Sequence, residues 1–277
     1  MILLLIAAMA MLLLRPATAM AAISASCHLF VTAVLPGLLP YMVLSAMLVS
    51  RCGRSKRPVS AGLLVLLGWC GGSPSGARLM AMQPHLSARQ RMSIAVATAA
   101  MSPMFLVGTC GMWLGSPKAG WVLLLSVLAG GGVAGLLAGR LTHSEPIPIT
   151  PAAPPLILSF GAAVEQAART LLMVCGTMAM GRMFAVLAAQ MCPALALPLT
   201  TLLEVTAGIQ GLAALPLPLS WRTALIAGAA GFGGMAIVLQ NRAVQPSPPP
   251  LMVQLGWQAL HGGLSFLLAM GGAWLIC

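Results

Sequence analysis

Acidic side chains are almost missing from this chain. It has no aspartate, and only Glu145, Glu165 and Glu204 stand against fourteen Lys/Arg, giving a net charge of +11 over 277 residues. Charge of either sign is scarce: 6% of residues are charged and 60% are hydrophobic. A soluble domain carries about 25% charged residues, so a soluble module is excluded. The seven cysteines (Cys27, Cys52, Cys70, Cys110, Cys175, Cys192, Cys277) form no C-x-x-C pair, which argues against a zinc site or a disulfide framework. The histidines are dispersed, and there is neither an H-E-x-x-H nor a serine-hydrolase elbow. No catalytic residue, metal or cofactor is expected, and no enzyme. The basic residues lack aromatic interleaving, so they do not form a nucleic-acid surface. They fit the positive-inside bias of membrane loops instead.

What is present is a succession of apolar blocks near the roughly 20 residues needed to cross a bilayer. We read residues 1–277 as one transporter-like transmembrane domain. "MILLLIAAMAMLLL" (1–14) has the look of a signal-peptide core followed by "ATAMA", but Arg15 lies on the wrong side of it and no positive n-region precedes it. A retained additional helix with a cytoplasmic N-terminus is the expectation. A short segment (15–28) and a helix over about 29–50 follow, ending at "RCGRSKR" (51–57), the densest basic cluster and so a cytoplasmic loop.

Residues 60–82 break this pattern. About ten apolar residues lead into "GGSPSGAR" (71–78), and a second short leg ends at Pro84. Each leg is too short to span, as in a re-entrant segment. Gly72 with Gly71 permits the turn, while Ser73 and Pro74 suit the N-cap and first position of a restarting half-helix. Ser75, Gly76 and Arg78 complete the motif. A tight surface loop is the competing reading. A helix over 92–114 follows, interrupted at "SPMFLVGT" (102–109) between Ser102 and Thr109, then a helix over 119–139. "GSPK" (115–118) reads as an ordinary helix start.

The polar stretch 142–155 divides the chain into halves of about 29–139 and 157–277. The second half repeats the plan: a helix to about 190, short legs 193–203 and 209–219 around "EVTAG" (204–208), a helix over 220–241 interrupted at "GFGG" (231–234), and a last helix over 252–276. Ser73 to Ser102 is 29 residues and Thr206 to Gly233 is 27. Following the crossings gives the halves opposite orientation. The predicted fold is an all-α polytopic membrane protein of two inverted-topology repeats, each with a re-entrant helical hairpin and an interrupted transmembrane helix.

Backbone breaks at membrane depth are tolerated only inside protein or beside a water-filled cavity. The restarting half-helices would aim their positive ends at an anionic or strongly polar ligand. Glu204 should lie near the second hairpin tip, where an intramembrane carboxylate marks an ion or substrate pathway; exposure at an external loop is the alternative. Arg78 pairs with Glu204 or an anionic substrate, or else snorkels to the cytoplasmic face. Arg169 and Arg182 read as topology and interface residues. Gln240 and Asn241 end a helix at the interface, with Gln240 able to face the cavity. For Gly231, Gly233 and Gly234, close helix packing is the competing reading.

"GWCGGSPSGARLMA", "SPMFLVGTCGMWLGSPKAG", "LLEVTAGI" and "GFGGMAIVLQ", in that order and with "TAVLPGLLPYMVLSAMLV" (32–49) before them, resemble the YlbJ-like sporulation integral membrane proteins. These carry the nucleoside-recognition (gate) domain and are distantly similar to concentrative nucleoside transporters. The resemblance covers roughly residues 15–277. The family's first motif is often G-Y-P-x-G-A-K; here Ser73 replaces the aromatic and Arg78 the lysine. The resemblance implies movement of dipicolinic acid out of the mother cell across the outer forespore membrane. It places ligand-facing positions at Gly72–Arg78 (Gly72, Ser73, Pro74, Ser75, Gly76 and Arg78), Ser102–Thr109, Glu204–Gly208 (Glu204 and Thr206) and Gly231–Gln240 (Gly231, Gly233, Gly234 and Gln240).

The expected function is thus a transporter of a small organic anion in a bacterial membrane, coupled to a proton or Na+, with Glu204 taking up a proton during the cycle. The expected partners are the lipid bilayer and the anionic substrate; a homo-oligomer is left open and nucleic acid is not a partner. A nucleoside transporter, or a non-transporting gate or scaffold subunit that needs a partner, are the alternatives.

Overall fold

A computed structural model describes residues 2–52, 59–143, 157–245 and 247–273. The basic loop beyond Cys52, Glu145 and most of the polar boundary between the halves lie outside them.

The described residues are helical, as an apolar environment demands, because a helix satisfies its backbone groups within one segment. The first half runs α1 (Ile2–Leu14), α2 (Pro16–Leu29), a π-helical turn at Phe30–Val34, α3 (Leu35–Cys52), then the short helices α4 (Ala61–Gly71) and α5 (Ser75–Ala81). After α6 (Ala88–Ala97) come a π-helical segment at Met104–Cys110, α7 (Gly111–Trp113) and α8 (Pro117–Leu141). The second half runs α9 (Phe160–Ala189), a 3-10 turn at Pro193–Leu195, α10 (Ala196–Leu203), α11 (Val205–Ala213), α12 (Leu219–Phe232), α13 (Gly234–Ala243) and α14 (Leu251–Ala273).

Among the described residues, four stretches are long and apolar enough to cross a membrane: Pro16–Cys52, Pro117–Leu141, Phe160–Ala189 and Leu219–Ala243. The chain is an all-helical integral membrane protein. In chain order each half gives a long helix, a pair of short helices, a broken helix and another long helix.

Three boundaries differ from the sequence reading. The segment 15–28 is helical and continuous with α3, because "ATAMAAISASC" contains no breaker after Pro16. The π-turn at Phe30–Val34 falls just before Pro36, whose missing N–H disturbs the regular ladder there. The first interruption lies at residues 98–102, before the segment assigned to it, and Met104–Cys110 is helical. The second short pair is broken at Glu204 alone: α11 starts at Val205.

Serines start several helices, Ser116 among them as expected. Ser116 accepts the Ala119 N–H at 3.3 Å ahead of Pro117. Ser87 and Gln90 form a reciprocal capping box, and Ser60 and Ser159 cap α4 and α9.

Lipid supplies little hydrophobic drive between helices, so close van der Waals approach and polar contacts hold them. Gly130 of α8 and Gly231 of α12 both meet α14 at Ser265; a Cβ on either would lie 2.6 Å from Ser265 Oγ. Buried apolar residues of the first broken helix (Met101, Phe105, Leu106), α8, α11 and α12 form one core cluster.

Candidate functional site

Each short-helix pair points its tip at the break of the helix that follows it. In the first half α4 is capped at its C-terminal end by Gly72, whose φ of 65° belongs to the left-handed region. That turn sends Ser73 across to the first break. The Ser73 amide donates to the Ala100 carbonyl at 2.7 Å, and its hydroxyl donates to the Thr98 carbonyl at 3.3 Å. The fit admits no side chain at Gly72, since a Cβ there would stand 2.5 Å from the Ser102 nitrogen. The Trp69 indole adds a 2.8 Å bond to the Ala97 carbonyl. Carbonyls freed by the break are therefore satisfied by the tip, as burial requires.

The second half uses other residues for the same relation. Gly233 and Gly234 interrupt α12–α13 with φ of 80° and 66°. A Cβ on Gly234 would stand 3.1 Å from the carbonyl oxygens of Thr201 and Leu202 at the end of α10. Glu204 forms the tip. It is 0% exposed, and its carboxylate caps α11: Oε1 accepts the Thr206 N–H at 2.9 Å and Oε2 the Ala207 N–H at 2.7 Å.

The two tips, the first break and the helix that follows the second break meet around one cavity of about 30 Å³, the space of a single water; Gly233 and Gly234 themselves are not among its lining residues. Its polar lining is Ser73, Ser102, Glu204, Thr206 and Gln240. Val34, Leu38, Val174 and Met178 wall it from the long helices. Gln240 is held by a 2.7 Å bond from its Nε2 to Thr177 Oγ1. Asn241 Nδ2 donates to Ser73 Oγ at 3.4 Å, linking the second broken helix to the first tip.

Five of the sequence-derived site residues thus line one cavity, while others take different places. Ser73 is not the N-cap of α5. Pro74 holds that position, α5 begins at Ser75, and the Ser73–Pro74 peptide is cis. Ser75 donates to the Gly71 carbonyl at 3.3 Å. Gly76 lets α5 close on Thr98, Gly231 lets α12 close on Ser265, and Thr109 lines a separate cavity. Arg78 neither pairs with Glu204 nor lines the central cavity. Its guanidinium spans to α9, donating to Gln166 O at 3.0 Å, Gln166 Oε1 at 2.6 Å and Thr170 Oγ1 at 3.2 Å. Nor is the start of α11 open to an anion, because Glu204 already occupies its first N–H groups.

Asn241, expected at the interface, is buried at the first tip. Its signal was only its place next to Gln240 in a chain poor in amides. Thr177 had none beyond lying on the long helix of the second half. Arg169, as expected, is exposed and makes a 2.8 Å ion pair with Glu165.

Two wider cavities flank the centre. One, of about 520 Å³, includes Thr109, Trp113 and Arg182. The other, of about 640 Å³, includes Arg91, Thr142 and Gln245. Trp113 precedes α8 by four residues and Thr142 follows it by one, so they lie at opposite ends of a 25-residue helix, about 37 Å long.

No family model, curated protein or solved structure matches this chain. Fold and site together define a class: a polytopic helical membrane protein in which two interrupted helix pairs close on a shared polar cavity.

Proposed function

We propose that the protein is a secondary-type transporter of a small organic anion, and that the central cavity is its solute site in a closed state. The observation that carries this reading is the meeting of both tips, the first break and the second broken helix at Ser73, Ser102, Glu204 and Gln240. Interrupted helices cost hydrogen bonds that a purely structural bundle has no reason to forgo. On this reading the short pairs are re-entrant hairpins, the halves are inverted repeats, and the wider cavities at the ends of α8 are the two access routes. Each access cavity is lined by one arginine, Arg182 or Arg91, and neither is lined by an acid. That sign attracts anions.

The motif resemblance to the YlbJ-like proteins makes dipicolinate the first substrate to test, with the outer forespore membrane as the location in a sporulating organism. Glu204 would take up a proton as the anion enters, since two uncompensated negative charges do not share a dry site. A second reading, a neutral nucleoside-like solute, is favoured by one observation: the central lining is hydroxyl, amide and carboxyl, and Arg78 is committed to α9.

The test is uptake of labelled dipicolinate into proteoliposomes, with unlabelled dipicolinate or uridine as competitor. Saturable uptake blocked by dipicolinate alone supports the anion. Competition by uridine moves the assignment to the neutral solute. A folded protein that moves neither is a gate or scaffold that needs a partner, and the transport reading fails.

A further inference from the structure

The 520 Å³ cavity at the α8 N-terminal end has a chemistry of its own. It lies between α2 and the π-turn after it, the first broken helix, α9 and α11. His28, Thr109, Trp113, Arg182 and Gln210 all line it, and none of their side chains hydrogen-bonds to another described residue; His28 and Gln210 are exposed, whereas Thr109, Trp113 and Arg182 are half-buried. Each of these side chains can donate, and no carboxylate is among the lining residues.

Arg182 stands apart from the other arginines. Arg15, Arg51, Arg89 and Arg140 also lack partners among the described residues, but they are exposed. The half-buried Arg78, Arg91, Arg222 and Arg242 all donate to carbonyl or side-chain oxygens. Arg182 is half-buried and donates to none of the described residues. Among the described residues it forms no ion pair. Thr109 is likewise unlike Thr32, Thr98, Thr142, Thr170 and Thr223, whose hydroxyls donate to the carbonyl four residues back.

A partly desolvated guanidinium beside uncommitted donors, in a cavity of ligand size, is how proteins receive carboxylate and phosphate groups. We propose that this cavity is a binding site for an anionic group, a carboxylate or a phosphate, with Arg182 as its cation and Gln210 and Thr109 as neutral donors. Trp113 gives it a flat apolar wall. That ring packs edge-on against Phe105 with centroids 5.7 Å apart, and Phe105 also lines the central cavity. The Trp113–Phe105 pair is thus the partition between the two cavities. The site stands on its own donors; only its role as a stop on the way to the centre rests on the transport reading.

The anion is either a free solute or a lipid headgroup, and the test separates them. Full-length protein in phosphatidylcholine nanodiscs is titrated calorimetrically with benzoate and with inorganic phosphate, then again with phosphatidylglycerol in the disc. Wild type is expected to bind benzoate or phosphate saturably, and Arg182→Gln about tenfold or more weakly. Thermal unfolding of Arg182→Gln should match wild type, because no protein partner is lost. Gln210→Leu should weaken binding less.

Binding that phosphatidylglycerol does not affect assigns the site to a free solute. Binding displaced by phosphatidylglycerol, with that lipid retained by wild type and lost by Arg182→Gln in native mass spectrometry, assigns it to a headgroup. Equal affinity in Arg182→Gln, or no retention of benzoate, phosphate or phosphatidylglycerol by wild type, overturns the proposal. The readout is independent of flux: a protein that binds through Arg182 and moves nothing keeps this site and loses the transport reading. One that transports but binds nothing here does the reverse.

Discussion

Asn241 Nδ2 donates to Ser73 Oγ at 3.4 Å, joining residues 168 apart in sequence. Ser73 is at the first tip and Asn241 near the end of the second broken helix, so this bond is where the two halves hold each other at the cavity. Both residues are buried; without Ser73 the Asn241 amide loses this acceptor, whereas without Asn241 the Ser73 hydroxyl keeps its bond to the Thr98 carbonyl. Ser73→Ala and Asn241→Ala should each cost about 1–2 kcal/mol, and the double variant less than their sum. Urea unfolding in mild detergent across the four-member cycle measures the coupling. Strict additivity would show that the bond is not formed.

The second break makes a sharper comparison between neighbours. Gly234 has φ of 66° and faces the Thr201 and Leu202 carbonyls, while Gly233, with φ of 80°, faces only the Ile237 side chain. Gly234→Ala should lose about 2 kcal/mol or more, from left-handed strain plus contact with fixed backbone oxygens. Gly233→Asn should lose less than half of that, because Asn visits this region and a flexible side chain can yield. The same unfolding measurement ranks them, and a reversed order contradicts the packing described.

The sequence marked the tips clearly and their partners poorly. Gly72, Ser73 and Pro74 stand out because glycine and proline punctuate an apolar run, and Glu204 because it is one of three acids. Both do form tips. The helix start at Ser116–Pro117 was legible for the same local reason. What Arg78 touches was not, since Gln166 and Thr170 lie 88 and 92 residues away and a local pattern carries no information at that range. The first break was displaced by a few residues because Ser102–Pro103 looks like an interruption. In fact Ser102 caps the helical segment on its C-terminal side, accepting the Phe105 N–H at 3.3 Å, and the opened carbonyls at Thr98 and Ala100 are the ones Ser73 uses. Arg182 passed for a topology marker; only the cavity around it separates it from the exposed arginines.

Arg78 gives a direct contrast between support and binding. Its guanidinium forks onto the backbone and side chain of Gln166 and onto Thr170. A lysine keeps the charge but cannot reproduce that fork. Arg78→Lys should therefore lower stability by about 1–2 kcal/mol while leaving the KM for transported solute within about twofold of wild type. A KM raised tenfold with unchanged unfolding would instead make Arg78 a solute ligand.

Glu204 carries the most weight. Both carboxylate oxygens accept N–H groups of α11, and a glutamine must turn its NH₂ toward one of those donors. Glu204→Gln should lose about 1–3 kcal/mol of stability, whereas Glu204→Asp keeps a good capping group. If the carboxyl also carries the coupling proton, the residual flux of Glu204→Gln loses its pH dependence. A pH profile identical to wild type would remove Glu204 from proton coupling and leave it as a cap.

The most direct test of the central claim is solute flux. Purified wild type and Glu204→Gln, each shown to be folded by monodisperse elution and a cooperative unfolding transition, are reconstituted into proteoliposomes, and labelled dipicolinate entry is followed over time. Saturable entry is expected in wild type, with a rate at least about tenfold lower in Glu204→Gln. Equal rates in the two proteins, or no saturable entry of either dipicolinate or uridine with folded wild type, would contradict the claim.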